Sequence, residues 1–186
     1  MEAVSEELGA IVASQVRPYQ QVMRGYTYFE EDDVIFAKIT PCMENGKAAI
    51  ACSLIDGIAF GSTEFHVLRP GPDVLPEFIW HFVRQPSFRL EATRYFVGAV
   101  GQQRVPTTFI ETALMPLPPL TEQRTIAARL EAEMAEVQRM RQAAERQLEA
   151  INALPGALLR EVFGGFEPPS RRFRTCGRVS LPSDEE

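Results

Sequence analysis

Gln102, Gln103 and Arg104 stand side by side in the stretch GQQRV, between the glycines of VGAVG and Pro106. Side-chain amides and a guanidinium are the groups whose paired donors and acceptors match adenine and guanine edges in a DNA major groove. On residue type alone, three polar side chains between glycines and a proline read first as a solvated loop. A second group lies in AKITPCMENGK, where Lys38, Thr40, Asn45 and Lys47 surround a turn. Lys38 and Lys47 are the two lysines of the whole chain, and their ammonium groups suit phosphates, while Asn45 suits a base edge. The same residues read equally well as a turn built on Asn45 and Gly46. Arg84, Arg89 and Arg94 offer a further basic surface on a helical stretch, although spaced charges on a helix are usually a solvated face.

Residues for catalysis are harder to assemble. The two histidines, His66 and His81, lie far apart, the first in a strand pattern and the second in a helical one, and read as structural. Ser62 and Cys42 have no base partner in sight. A methyltransferase needs a glycine-rich loop after a strand, and FGSTEF has a single glycine. A phosphate-binding loop is missing because neither lysine follows a GxxxxG run. No lysine beyond position 47 completes Asp73 and Glu77 as a carboxylate-plus-lysine nuclease centre. The expectation is a chain that catalyses nothing and holds no metal or cofactor of its own.

The elements that must position these residues follow from composition and periodicity. With 186 residues, 45% hydrophobic and 24% charged, one compact domain with an extension is expected. The net charge of -6 is unevenly spread. Residues 1–33 carry seven acids against two arginines and residues 184–186 three more acids, which leaves a net +2 between them. No apolar run is long enough to span a membrane, and the acidic start is not that of a secretion signal, so a soluble protein is expected. Cys42, Cys52 and Cys176 form no CxxC pair, which fits a reducing cytoplasm with the cysteines as small apolar fillers.

Residues 26–70 read as strands, in the runs VIFAKI, KAAIACSLI and EFHVL, with Asn45 and Gly46 as the best hairpin signal. PEFIWHFVRQPSFRLEATRYF reads as two short helices divided at Pro86, and VGAVGQQRVPTTF as an ordered loop. Pro116, Pro118 and Pro119 hold off a helix that is expected to start at Thr121 as N-cap. From there to Leu154, Ile126, Leu130, Met134, Val137, Ala144, Leu148 and Ile151 form one narrow apolar stripe over roughly 50 Å. Such a helix calls for a partner helix, as in a coiled coil. Pro155 and Gly156 are expected to break or kink it before a second short helix ending at Gly164 and Gly165. The expected class is α+β, with a domain over residues 1–118, helices over 119–165 and a poorly ordered tail over 166–186.

YTYFEEDDVIFAKITPCMENGKAAI, GSTEFHVLRP, PEFIWHFVRQPSFR, GAVGQQRV and above all MPLPPLTEQRTIAARLE together resemble the type I restriction-modification specificity (S) subunit family. The resemblance implies a target-recognition domain of mixed strands and short helices followed by a long spacer and dimerisation helix. It also implies a non-catalytic role, the selection of a bipartite site on double-stranded DNA. The partners would be a modification subunit using S-adenosylmethionine and a restriction subunit, a motor-nuclease using ATP. It turns Gln102, Gln103 and Arg104 from a solvated loop into first candidates for base contacts. Family members with two repeats read both halves of a split site, whereas this chain holds one. That implies a half-subunit pairing antiparallel with a copy of itself or with a second S-type repeat, or a fragment of a longer chain. The segment before MEAVSEE is short or missing by the same comparison, and the acidic N-terminal third must face away from phosphates. The alternative is a degenerate remnant that acts only as a protein–protein scaffold.

Overall fold

A solid apolar run needs cover on both faces, and Val34, Ile35, Phe36 and Ala37 have it. The computed structural model describes residues 1–164. The chain opens with a hairpin, β1 (Val4–Ser5) and β2 (Ala10–Ile11), and a single helical turn, α1 (Tyr19–Val22). Five strands follow: β3 (Thr27–Glu30), β4 (Val34–Ala37), β5 (Ala48–Ile50), β6 (Ile58–Gly61) and β7 (Phe65–Leu68). Then come α2 (Pro76–Arg84), α3 (Pro86–Thr93), α4 (Thr107–Thr112) and the long α5 (Leu120–Phe163). The class is α+β, as expected.

Strand β4 is the centre of a three-stranded antiparallel sheet, flanked by β5 and β7, with Phe36 opposite both Ala48 and His66. A separate antiparallel pair joins β3 to β6. Alternation along β4 divides the core in two. Val34 and Phe36 pack with Met43, Ile79, Val83, Phe88, Val105 and Phe109 on the helical side. Ile35 and Ala37 pack with Val4, Phe29, Ala49, Ala51 and Phe65 on the other. Each strand run of the sequence supplies a strand shorter than the run itself. The Asn45 and Gly46 turn does belong to an antiparallel connection, but one that fills all of residues 38–47. Met43 N–H bonds to the Ile39 carbonyl and Asn45 N–H to the Pro41 carbonyl, so the connection makes a helical turn of its own. Gly46, with φ of +74°, then closes it.

The proline signals are obeyed. Pro76 and Pro86 each sit in the first turn of a helix, where the missing N–H costs nothing, and α2 and α3 are separate. The stretch read as loop holds α4, six residues that bury Phe109 and are too short to show a helical period. Thr121 is not the cap of α5. The Pro119 carbonyl already accepts from Glu122 N–H at 2.9 Å and Gln123 N–H at 3.0 Å, so the helix begins at Leu120. Thr121 lies inside the first turn, where its carbonyl accepts the Thr125 hydroxyl at 3.0 Å.

The break expected at Pro155 and Gly156 does not occur, and the second short helix is part of α5. A proline removes one helical hydrogen bond, and Leu154, Ala157, Leu158 and Leu159 around it all favour helix. At 44 residues α5 measures roughly 65 Å. Met1–Met134 form one compact unit that takes in the first turns of α5, and the described chain from Ala135 onward is the rest of that helix. The tail expected over residues 166–186 lies outside the described residues.

Candidate nucleic-acid interface

The backbone of residues 38–40 leaves β4 and joins two segments that are distant in sequence. Lys38 N–H donates to the Glu64 carbonyl at 2.9 Å, and the Lys38 carbonyl accepts from Val105 N–H at 2.8 Å. Thr40 N–H donates to the Gln103 carbonyl at 2.9 Å, and Ile39 bridges to Arg104. Residues 97–104 form an ordered loop, closed by a reciprocal pair of backbone bonds between Val97 and Arg104 at 3.0 and 2.9 Å. Gly98 and Gly101 take φ of 110° and 84°, which only glycine adopts without strain. The tip is open to solvent, with Val100 95% exposed and Gln102 exposed, while Gln103 is half-buried.

Arg104 is held by three hydrogen bonds to two partners. Its Nε and Nη2 donate to the two carboxylate oxygens of Glu64, each at 2.8 Å, and Nη1 donates to the Gln102 carbonyl at 2.8 Å. The guanidinium beside Glu64 holds that carboxyl below its usual range against the opposing effect of burial, and Glu64 in turn raises Arg104. Lys38, Thr40, Gln102, Gln103 and Arg104 therefore form one neighbourhood. Asn45 and Lys47 lie at the other end of the connection. The Asn45 amide donates to Glu6 at 3.2 Å, and Lys47 exchanges backbone bonds with Ala37 and Cys42. The Thr40 hydroxyl is bonded to Glu44.

Of the three arginines considered above, Arg84 and Arg89 are turned to backbone carbonyls, whereas Arg94, just past α3, stays on a solvated face. Arg84 donates to the Gly46 and Glu6 carbonyls at 3.1 Å and to that of Glu7 at 3.3 Å, and its guanidinium lies 4.7 Å from the centre of the Trp80 ring. Trp80 itself donates to the Gly9 carbonyl at 3.0 Å, so α2 clamps the N-terminal hairpin. Burial, with Arg89 adding to it, pushes Arg84 below the usual arginine range. Arg89 bonds the carbonyls of Glu44 and Arg84, and Arg94 pairs with Glu91. Proximity to backbone carbonyls distant in sequence, invisible in the spacing, decides the roles of Arg84 and Arg89.

Asp33 and Glu31, two acids of the first third, are also engaged. Asp33, 1% exposed, accepts from Arg69 Nε at 2.9 Å and Nη2 at 2.8 Å and from Glu30 N–H at 2.7 Å. Burial alone would raise its carboxyl, but the Arg69 and Glu30 donors outweigh it and hold it below the usual carboxylate range. Glu31 receives the N–H groups of Ser53 and Leu54. Neither Arg69 nor Glu64 was singled out in the sequence, since each is recognised only by a partner roughly forty positions away.

His66 is structural, as expected: buried in β7, its Nε2 donates to the Val105 carbonyl at 2.9 Å, and burial depresses its pKa. His81 is half-buried, and burial followed by the nearby Arg84 charge lowers its pKa too. Ser62 Oγ accepts from Glu64 N–H at 3.2 Å. Cys42 packs beside the second core, but Cys52 is exposed in the turn after β5 and fills nothing. Among the described residues no group of His, Cys, Asp and Glu is placed to hold a metal, and no helix is long and apolar enough to cross a membrane.

The signature that opens α5 has a packing role. Gln123 is completely buried, and its amide accepts Leu75 N–H at 2.9 Å while donating to the carbonyls of Asp73 and Pro118, both at 2.8 Å. Along the stripe of α5, Ile126 and Leu130 line a shallow apolar groove with Phe78, His81, Phe82 and Pro116. Met134, Val137, Leu148 and Ile151 are exposed.

Residues 16–149 match the model of the type I restriction modification DNA specificity domain. The chain is 35% identical over 160 residues to the EcoAI type I restriction enzyme specificity subunit of Escherichia coli and 32% identical to the EcoEI specificity subunit of the same organism. Each alignment covers 86% of this chain and 27% of the relative, so the chain spans about a quarter of the length of the curated relatives it matches. Among solved structures, the HsdS subunit from Thermoanaerobacter tengcongensis superposes with a TM-score of 0.68 at 28% identity. A structure describing complex assembly and conformational transition of the type I R-M system gives 0.76, also at 28%. Both cover 91% of this chain and 44% of the other. With the family model matching residues 16–149 and the fold shared with solved specificity subunits, this chain is a member of the type I restriction-modification DNA specificity family.

Proposed function

We propose that this chain is a target-recognition module, with its spacer helix, of a type I specificity subunit. It selects one half of a bipartite site on double-stranded DNA and carries out no chemical step itself. The observation that carries the reading is the convergence of residues 38–40 with residues 102–104 at the surface of a unit that matches the DNA specificity domain. Gln102 and Gln103 supply amides for base edges, and Lys38 supplies a charge for the phosphates. Asn45 and Lys47 are secondary contacts, Asn45 having to leave Glu6 to reach DNA.

The modification subunit brings S-adenosylmethionine and the restriction subunit ATP, so the complex works in the cytoplasm beside the genome. The exposed stripe of α5, Met134, Val137, Leu148 and Ile151, pairs with a second helix of the same kind, from a copy of this chain or a second repeat. Helix length then sets the spacing of the two half-sites. Residues 1–118 act as the reading domain and 119–165 as the spacer.

The test is selection of random duplex DNA by the full-length protein copurified with its modification subunit. An enriched split motif is the expected result, palindromic if two copies pair. An intact complex that enriches nothing overturns DNA reading and leaves assembly as the role.

A further inference from the structure

Arginine carries five N–H groups, and the contacts above use three of those on Arg104: two on the Glu64 carboxylate and one on the Gln102 carbonyl. Two remain without a partner among the described residues. The side chain is 39% exposed and that of Glu64 25%, so the pair sits at the surface with the carboxylate the more covered of the two. The Glu64 backbone is fastened too, its carbonyl by Lys38 N–H and its own N–H by Ser62 Oγ.

A guanidinium fastened this way differs from a free surface arginine in two respects. Its rotamers are already restricted, so little further entropy is lost when it meets an acceptor. Its charge is neutralised by the carboxylate, so it contributes little to the unspecific attraction of phosphates, while its unused N–H groups keep their direction.

We propose that Glu64 is a positioning residue for Arg104, a buttress that presents the two unused N–H groups to a pair of DNA acceptors, namely O6 and N7 of one guanine. The inference rests on the DNA-reading function proposed above and adds to it which residue fixes the geometry and which base is read. Gln102 and Gln103 are on the same loop and are the candidates for the neighbouring base pairs. A phosphate is the other DNA group with paired acceptors, and the experiment separates the two.

The motif enriched by the full-length protein with its modification subunit is rebuilt as a duplex, and each G·C pair is changed in turn to A·T. For the unaltered protein one such change weakens binding about 5- to 150-fold. In Glu64→Gln most of the discrimination at that pair is lost, to within about twofold of none, while binding to an unrelated duplex is not weakened, because a negative charge has been removed. Glu64→Asp, which keeps the charge but shortens the reach, gives an intermediate loss. Retention of full discrimination at every position in Glu64→Gln overturns the proposal. So does an equal loss on all duplexes, the sign of a phosphate contact. If Glu64→Gln does not fold, Arg104→Lys, with the charge but without the fork, must lose discrimination at one guanine, and its failure to do so refutes the idea. A selection that enriches no motif removes the DNA-reading function itself, a result distinct from these.

Discussion

Replacing Gln123 by leucine removes an amide that ties the start of α5 to the entry of α2. Three hydrogen bonds of 2.8 to 2.9 Å are lost. At about 1 kcal/mol net for each, the direct loss is about 3 kcal/mol. Stranding the Leu75 N–H and the Pro118 carbonyl, both on half-buried residues, adds to it, while the carbonyl of exposed Asp73 can take a water and leucine regains some apolar burial. These corrections oppose one another, so about 3 kcal/mol stands as the expectation. For a unit of this size each kcal/mol moves Tm by roughly 3 to 5 °C, which gives a fall of about 10 to 15 °C. Trp80, the single tryptophan, lies in α2, packs against the core and reports urea unfolding directly by fluorescence. The midpoint should fall with an unchanged slope. Gln123→Glu should be worse than leucine at neutral pH, since a buried carboxylate oxygen would then face two carbonyls, and should improve as acid protonates it. A Gln123→Leu variant within about 0.5 kcal/mol of the parent would refute the latch.

Four further outcomes are expected. Asp33→Asn should destabilise by about 1 to 3 kcal/mol at pH 7, the half-exposed Arg69 limiting the effect. Because the folded carboxyl is held below its unfolded value, the parent's extra stability is complete above roughly pH 4 and fades as pH falls through the folded value. The gap between parent and variant in denaturation series should therefore be constant from pH 7 to about pH 5 and begin to narrow only as the pH is taken below roughly 4. Arg84→Ala should free the N-terminal hairpin, with faster amide exchange over residues 4–11 and a shifted Trp80 emission. Gln103→Ala should cost about 1 to 3 kcal/mol on the selected duplex alone, whereas Lys38→Ala should weaken all duplexes alike and flatten the salt dependence. Val137→Asp combined with Ile151→Asp should abolish self-pairing in ultracentrifugation and leave the Tm of the reading unit unchanged, since both side chains are exposed.

Much of the architecture was legible in the chain because it is written in local patterns. The solid run VIFA demanded cover on two faces and became the central strand. Pro76 and Pro86 set two helix starts by stereochemistry alone, and MPLPPLTEQR marked the beginning of α5 to within one residue. The same segments carried the family resemblance. Proline 155 misled, because a single missing hydrogen bond yields to strong helix formers on both sides. What no local pattern holds is which distant groups meet. The loop of residues 102–104 joins residues 38–40 only because β4 and β7 are neighbours, and that register brings Glu64 beneath Arg104. Arg84 looked like one of several surface charges until the hairpin of residues 4–11 packed over it. Gln123 was visible as part of a signature, yet only the packing of the loop at residues 73–75 against α5 turned its amide into a latch. Periodicity and proline act within a few residues and can be read from one sequence, whereas ion pairs and buried amides depend on contacts that chain folding alone creates.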